Sequence, residues 1–389
     1  MKVFVEPTGR RIAPFDDPPG EALIGNRRLA DRLDDAIREA GLTRIDRLEP
    51  PCLVVPDALW ATGGALRKFV TGAAGRDAVL VLGDCRFARA STPVQPDVRR
   101  VDAGWRFDRI RYVADGAEPV EVVVDPEENP FDVPAPPYLA AEKMEFGLPL
   151  DVVMTLHHWV HILWANLFIG AVDMRRRSKW QLARQLGSAI LRARSLNKWR
   201  VMGRFNIIGR NCDIHPTAVV EASTLGDNVK IGPFCRVFAS TLGEGAEVWP
   251  YGMVELSTVG PRAVVTEQSA LRFSVLYPEA VVGQYLMQMC VLGRKALTTG
   301  AAFSMDLNFD QNIRVPLDGK LHDTGTRFLG SAFGHRSRVG TGFWLASGRA
   351  IPNDYFVIRH PDAVVSRIPD GLAGRNPLAV QGQTLVPLG

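Results

Sequence analysis

Residues 237–243 read VFASTLG, and close copies stand at 220–226 (VEASTLG) and 254–260 (VELSTVG). Each copy begins 17 residues after the one before it. A fixed period with an aliphatic residue, a Ser-Thr pair and an aliphatic-Gly step indicates a repeat architecture, in which one structural unit stacks on the next.

Three aliphatic columns run through this region when it is counted in steps of six, six and five. Neither a helix nor an ordinary strand has this period, whereas a triangular coil with one short strand per side does. Coils of a parallel β-helix stack about 4.8 Å apart, so like residues form ladders through the interior. Every position is Ile, Leu or Val: Ile208, Leu225, Leu242, Val259, Leu276; Ile214, Ile231, Val248, Val265, Val282; Val220, Val237, Val254, Leu271.

A serine recurs on the short side of each coil, and its hydroxyl can bond between coils or to the corner backbone. The serines are Ser223, Ser240, Ser257 and Ser274. Steps of six resume at Phe333, Val339, Leu345 and Ile351. Residues 205–389 are therefore predicted to form a β-helix domain, with residues 304–327 as a protruding loop or hairpin.

Hexapeptide steps of this kind resemble the left-handed β-helix of acyltransferases and sugar-nucleotide enzymes. That resemblance implies a homotrimer.

Residues 1–150 alternate apolar strands with helical patterns, which predicts a doubly wound, Rossmann-like α/β domain. Ligands of such sheets bind at the carboxyl ends of strands. The stretches VEPTGRRIAPFDDPP (5–19) and VLGDCRF (81–87) are expected there.

Residues 151–204 are predicted to be a basic helical connector, with 10 Lys or Arg against 2 Asp or Glu. The stretch 151–172 has the length of a membrane span, but His157, His158, His161 and Asn166 favour a buried packing helix. The following helix is expected to dock on one of the two domains. Peripheral membrane contact through 173–204 is the less favoured alternative, and no nucleic-acid partner is expected.

Five cysteines lie in apolar runs without a CxxC spacing, as expected of a reducing compartment. The stretch MKVFVEPTGRR (1–11) lacks the pattern of a signal peptide. A cytoplasmic protein is therefore expected.

Three stretches together resemble the bifunctional sugar-1-phosphate nucleotidylyltransferase and acetyltransferase family, in its divergent bacterial and archaeal branch of N-acetylglucosamine-1-phosphate uridylyltransferase-like proteins. They are residues 8–37, 163–176 and 307–342, the last reading LNFDQNIRVPLDGKLHDTGTRFLGSAFGHRSRVGTG. The resemblance implies a nucleotidylyltransferase-like N-terminal domain.

For that domain the resemblance implies phosphate binding by Gly9, Arg10 and Arg11, although Gly20 stands where the family has a lysine. It also implies Mg²⁺ held by an aspartate that follows a strand, and Asp57 and Asp84 both fit. A nucleoside triphosphate and a sugar phosphate are the implied reactants.

For the β-helix the resemblance implies an acyl-CoA co-substrate and a histidine base. Gln284 or Gln288 stands at the place of that histidine, depending on the alignment. His322 and His335 are the substitutes, acting across a subunit interface, and Asp310 in the Asn- and Asp-containing turn is the third catalytic candidate.

These parts predict a sugar-phosphate-processing transferase, with a nucleotidylyltransferase-type domain fused to an acyltransferase-type β-helix. The alternative is a catalytically degenerate trimer that acts as a scaffold or senses a sugar nucleotide.

Overall fold

The computed structural model describes residues 1–134, 143–175, 179–194, 196–197, 200–201, 203–370 and 378–387. Within them an N-terminal sheet domain precedes a three-sided column of coils. The helices are α1 (Leu29–Glu39), α2 (Gly63–Ala73), α3 (Arg86–Ser91), α4 (Trp159–Arg175) and α5 (Lys179–Ala193). The strands before the coils are β1 (Lys2–Glu6), β2 (Leu23–Ile24), β3 (Arg27–Arg28), β4 (Thr43–Ile45), β5 (Cys52–Pro56), β6 (Leu59–Ala61), β7 (Ala78–Gly83), β8 (Val98–Val101), β9 (Gly104–Val113), β10 (Val120–Val124), β11 (Asn129–Pro134), β12 (Lys143–Leu148) and β13 (Val153–Thr155).

The column consists of three parallel sheets of very short strands. The first sheet contains Ile207–Ile208, Thr224–Leu225, Thr241–Leu242, Thr258–Val259, Val275–Leu276, Val291–Leu292, Ala332–Phe333 and Ala350–Ile351. The second contains Asp213–Ile214, Lys230–Ile231, Glu247–Val248, Val264–Val265, Val281–Val282, Leu297–Thr298, Arg338–Val339 and Phe356–Val357. The third contains Val219–Glu221, Arg236–Phe238, Met253–Glu255, Ser269–Arg272 and Tyr285–Gln288, and the pair Phe303–Ser304 and Trp344–Leu345 forms a separate ladder.

All fourteen aliphatic column residues lie on these strands, so the predicted ladders are confirmed. Like residues pair directly, as Leu225 does with Leu242. Twelve of the fourteen are buried, Ile214 is half-buried, and Ile208 is 51 % exposed because its strand is the first of its sheet. The three parallel sheets fit a left-handed β-helix.

The serine column makes both of the bonds expected from the sequence. Ser257 Oγ donates to Glu255 O at 2.7 Å and accepts from the backbone N–H of Ser274 at 3.1 Å in the next coil. Ser240 does the same with Phe238 O and the N–H of Ser257. Each hydroxyl therefore ties one coil to the next.

The segment that interrupts the coils contains an antiparallel hairpin of strands Arg314–Leu317 and Lys320–Asp323, the 314–323 hairpin. The sequence led us to expect a protruding loop or hairpin here. A hairpin forms, but it packs on the protein instead of protruding, because Ile313 and Val315 are buried in the core that contains α4.

The sheet of the N-terminal domain has the order β10-β7-β9-β5-β1-β4, with β8 paired to β9. β9 runs antiparallel to both of its central neighbours, β5 and β7. Apolar residues of α1 and α2, including Leu33 and Phe69, pack together on one face of this sheet.

The opposite face carries ion pairs, as between Glu6 and Arg109 at 2.8 Å and between Arg106 and Glu121 at 3.0 Å. A doubly wound sheet has helices on both faces. The doubly wound arrangement predicted from the sequence is therefore corrected to a mixed sheet with α1 and α2 on the same face.

Helix α4 is the buried packing helix favoured by the sequence. Its residues share one core with Ile24 of the sheet domain and with Val275 and Val291 of the first coil sheet. The buried Asn166 amide is satisfied, because it accepts from Gly25 N at 2.9 Å and donates to Leu23 O at 2.8 Å. No helix in the described part of the chain combines the length and apolar character needed to cross a membrane.

The outer face of the first sheet changes where α4 and the sheet domain cover it. The outward residues are threonines in the early coils, of which Thr224 is exposed. Val275, Val291 and Ala332 follow at the same outward position and are fully buried. The change from threonine to apolar residues at this outward position therefore shows which part of the first coil sheet α4 covers.

We expect Ser257→Ala to destabilise the protein by about 1–3 kcal/mol, because it leaves the buried N–H of Ser274 without an acceptor. Urea unfolding followed by circular dichroism measures the change. The matched control is Thr224→Ala in the neighbouring ladder, which should change stability by less than about 0.5 kcal/mol because Thr224 is exposed. Equal effects of the two variants would contradict the role of the serine ladder.

Candidate functional site

A loop at the carboxyl ends of β1 and β5 is the first candidate region. Asp57 Oδ1 accepts hydrogen bonds from Thr8 N at 3.0 Å and from Thr8 Oγ1 at 2.7 Å. Gly9 has a φ of +65°, a left-handed conformation that favours glycine. Asp57 thus fixes a sharp turn whose tip is Gly9 and Arg10.

The two arginines of this loop point to different partners. Arg10 Nη1 lies 3.3 Å from the carboxylate of Asp318 on the 314–323 hairpin. Arg11 Nη1 donates to Asp16 O at 2.8 Å, which turns it back on its own loop. Of the predicted phosphate-binding residues, Gly9 and Arg10 lie together in the turn that Asp57 holds. The contact of Arg10 with Asp318 is longer than that of Arg11 with Asp16 O, so a phosphate would displace it more easily.

Asp84, at the end of β7, is occupied by two guanidinium groups. Arg89 Nη2 and Arg100 Nη1 each lie 2.8 Å from its carboxylate. Their hydrogen bonds hold the pKa of Asp84 well below its usual range. Asp57 is likewise engaged by Thr8, and no group of three His, Cys, Asp or Glu suited to a metal occurs among the described residues. Both oxygens of Asp84 are therefore paired with arginines, whereas the contacts with Thr8 engage one oxygen of Asp57.

His157 lies just before α4 and was not among the predicted site residues. Its side chain is 1 % exposed, and Nε2 is 3.7 Å from Asp97 Oδ2. Neither ring nitrogen has a hydrogen-bond partner in the described part of the structure. Burial, with the nearby charges of Arg10 and Arg109, lowers the pKa of His157 to about 4. The ring is thus neutral at physiological pH, with two polar atoms available.

His161 and His158 complete the start of α4 as structural groups. His161 Nδ1 accepts from the backbone N–H groups of His157 and His158 at 3.0 Å each. Its Nε2 therefore carries the proton and donates to Pro93 O at 3.0 Å. Burial lowers the pKa of His158 and of His161 to about 3. Both rings remain neutral in the core.

His335 lies where the sheet domain meets the coils and is 4 % exposed. Its Nδ1 accepts from the backbone N–H of Arg294 at 2.8 Å, so Nε2 carries the proton and donates to Asp17 at 3.0 Å. Arg294 Nη1 also lies 2.7 Å from Asp17. Arg294 Nη1 is 3.0 Å from His335 Nε2 as well, but two donors do not bond, so Asp17 is the partner of both. Both ring nitrogens of His335 are therefore engaged in hydrogen bonds.

The other two predicted catalytic residues lie apart from His335. His322 is half-buried on the 314–323 hairpin, opposite Val315, and Asp310 is exposed before the hairpin. No hydrogen bond or ion pair joins His322, His335 and Asp310 within the described residues. His215 is an exposed corner residue whose Nδ1 is 2.9 Å from Thr217 Oγ1.

A second candidate region is an open pocket of about 420 Å³ on the last coils, the coil pocket. Its lining residues are Lys295, Arg336, Arg338, Asp354, Tyr355 and Phe356. Arg336 forms a two-pronged ion pair with Asp354, at 2.6 and 2.7 Å. The side chain of Arg338 is exposed and makes no ion pair with any described residue.

Sequence reasoning missed this pocket because its residues are brought together by the register of the last coils. Arg338 pairs directly with Phe356, 18 residues later. Aligning the outward residues of successive coils in the same steps of six would have placed these pocket residues side by side.

Comparison with known proteins adds little at the sequence level, since no protein-family model and no curated protein matches the chain. Among solved structures, one match is a Bacillus cereus protein classed as an acetyltransferase, 17% identical, covering 40% of this chain and 80% of that chain with a TM-score of 0.22. A hexapeptide transferase family protein from Anaplasma phagocytophilum is 12% identical over 40% of this chain and 75% of its own, with a TM-score of 0.19.

PerB of Caulobacter crescentus, crystallised with CoA and GDP-perosamine, is 18% identical over 44% of this chain and 64% of its own, with a TM-score of 0.15. Similarity at these values carries no functional argument. The β-helix is established by the sheets of this chain.

We expect Asp17→Asn to lower the free energy of unfolding by about 1.5–3 kcal/mol at neutral pH, because Asp17 is the charged acceptor for both His335 and Arg294. Asp16→Asn is the matched control, since Asp16 is exposed. Urea unfolding at a series of pH values measures both variants.

The difference in unfolding free energy between the wild type and Asp17→Asn should depend on pH in one direction. Burial raises the pKa of Asp17, but hydrogen bonds from His335 and Arg294 outweigh it and lower the pKa below 3.8. The stabilisation is therefore present above pH 3.8 and is lost as the pH falls through the lowered value. A wild-type advantage that does not shrink in acid would contradict this assignment.

Proposed function

We propose that this protein is an acyl-CoA-dependent transferase of the sugar-phosphate-processing type, and that the coil pocket binds the nucleotide end of CoA. The observation that carries the proposal is the lining of this pocket, with three cations beside two aromatic rings. CoA carries a pyrophosphate, a 3′-phosphate and an adenine. Guanidinium and ammonium groups bind phosphates, and aromatic faces stack on bases.

The charges of the pocket favour phosphate over a neutral ligand. Arg336 is partly neutralised by Asp354, and Lys295 lies 3.6 Å from Glu279. Arg338 makes no ion pair with a described residue, so its guanidinium is available for a phosphate. The rings of Tyr355 and Phe356 are 57 % and 71 % exposed, which leaves their faces open to stacking.

In the proposed reaction an acceptor amine or hydroxyl attacks the thioester carbonyl. The new C–N or C–O bond replaces the C–S bond, the CoA thiolate leaves, and the acceptor proton must go to a base. His335 has both nitrogens engaged by Asp17 and Arg294. Of the three proposed catalytic residues, His322 and Asp310 are therefore the ones accessible to an acceptor in this arrangement.

We also propose that the chain assembles as a homotrimer. Large apolar side chains stand on the outside of the coils, including the stacked pair Phe234 and Tyr251, which are 57 % and 59 % exposed, and Trp344, which is 68 % exposed. Burying these rings between copies would remove apolar surface from water.

A second function is proposed for the sheet domain, namely binding of a phosphate-bearing ligand by Gly9 and Arg10. The left-handed turn at Gly9 and the weakly paired Arg10 support it. Nucleotidyl transfer would need Mg²⁺, and Asp84 is already bound by Arg89 and Arg100. Binding of a nucleotide or sugar phosphate without transfer, as in a sensor, is therefore the form of this function that the geometry favours.

We expect Arg338→Gln to weaken CoA binding about tenfold, because it removes the available guanidinium from the coil pocket. Isothermal titration of CoA and of 3′-dephospho-CoA against the full chain measures the effect. Lys320→Gln, an exposed cation on the 314–323 hairpin, is the control and should leave the affinity unchanged. An equal loss in both variants, or no CoA binding by the wild type, would contradict the proposal.

For the sheet domain we expect Arg10→Gln to weaken binding of a nucleoside triphosphate about tenfold, whereas Arg11→Gln should have little effect because Arg11 is held by Asp16 O. Titration with and without Mg²⁺ measures affinity, and a phosphate assay measures pyrophosphate release. Release would establish the transferase, and binding without release the sensor. Unchanged affinity in both arginine variants would exclude this loop as the site, and an equal loss in both would contradict the separate roles assigned to Arg10 and Arg11.

A further inference from the structure

The segment 174–212 has an extreme charge balance. It contains 11 Lys or Arg and no Asp or Glu, whereas residues 1–150 carry 20 Lys or Arg against 25 Asp or Glu. Helix α5 occupies the centre of this segment. A run of one charge sign this long creates a strong local field and attracts a surface of the opposite sign.

Helix α5 also exposes large apolar side chains. Trp180 is 86 % exposed, Leu191 is 78 % exposed, and Leu196 just beyond the helix is 86 % exposed. Trp180 and Leu191 are eleven residues apart, which places them on the same side of the helix. Ala189 lies on the opposite side and is 0 % exposed, so that side faces the protein. Helix α5 therefore contacts the protein through the side that carries Ala189 and turns Trp180 and Leu191 outward.

We propose that α5 is a peripheral membrane-binding helix, which lies on an anionic bilayer with Trp180 and Leu191 inserted among the lipids. A basic helix with Trp and Leu on one face is the composition that binds such interfaces. The exposed Arg184, four residues after Trp180, lies on the same side of the helix and would reach the lipid phosphates from there. This function is independent of both proposed ligand sites.

Two other occupants fit the same surface less well. Nucleic acid would satisfy the cations but would leave Trp180 and Leu191 against a charged backbone. A second copy meeting this face across a two-fold axis would bring two segments of 11 positive charges together. An anionic bilayer satisfies both the charge and the apolar face.

The test is co-sedimentation of the full chain with vesicles of phosphatidylcholine alone or mixed with phosphatidylglycerol. We expect binding to the mixed vesicles alone, and its loss as salt rises from about 0.1 M to about 0.5 M, because screening weakens the attraction. The double variant Trp180→Ser/Leu191→Ser should bind about tenfold more weakly, because it removes the inserting side chains. Arg184→Gln should bind about fivefold more weakly.

Matched controls are Ile368→Ser, which changes an exposed apolar residue after the coils, and Arg47→Gln, which changes an exposed arginine of the sheet domain. Both should bind as the wild type does. Circular dichroism checks that each variant is folded. If the double variant does not fold, the membrane proposal is tested by Arg184→Gln and by the salt series, and unchanged binding in both overturns it. Wild-type protein that ignores phosphatidylglycerol vesicles overturns the proposal, as does a folded double variant that still sediments fully.

Sedimentation velocity and a DNA-binding titration cover the other occupants. An oligomer that dissociates in the double variant, without vesicle binding by the wild type, assigns the face to a second copy and overturns the proposal. Binding of DNA that exceeds vesicle binding and does not change in the double variant also overturns it.

Discussion

The apolar contact between α4 and the outer face of the first coil sheet determines how the two halves of this protein are joined. Val275, Val291 and Ala332 are fully buried there, and α4 contributes apolar residues on every side. Burial of a valine side chain contributes about 1.5–3 kcal/mol, so a few such residues hold the halves in one orientation. The sheet domain and the β-helix thus share a core instead of being separate bodies on a linker.

This contact sets the chemistry of the groups at its edge. Asp17 reaches His335 because the loop before α1 is pressed against the coils, where Phe15 stacks on Tyr277 with ring centres 5.5 Å apart. His335, one of the two candidate substitutes for the base histidine, is thereby part of a buried hydrogen bond between the sheet domain and the coils. The same docking carries the 314–323 hairpin to Arg10, so a residue of the β-helix insertion lies beside the loop of the sheet domain.

The coils were predictable from the sequence because each coil repeats the same constraint. The interior of a triangular coil admits one aliphatic side chain per side, so a strict period appears in the sequence, and Leu242, Val248 and Val254 lie where it predicts. The sheet domain was less predictable because strand direction is decided by long-range pairing. Nothing local reveals that β9 enters antiparallel between β5 and β7, and this insertion places Arg106 and Arg109 on the face where helices were expected.

The candidate sites depend on outward positions, and this explains why the interior pattern says little about them. At one corner of the coils successive residues take left-handed φ values near +60° and point away from the column, as do Glu279, Lys295, Arg336 and Asp354. Their charges pair along the column, Arg262 with Glu279 at 2.8 Å and Arg336 with Asp354 at 2.6 Å. Because exposed ion pairs contribute little to stability, these positions can change charge without disturbing the aliphatic ladders inside. The interior residues therefore fix the spacing of the coils. The outward residues of the last coils line the coil pocket and determine which ligand it can bind.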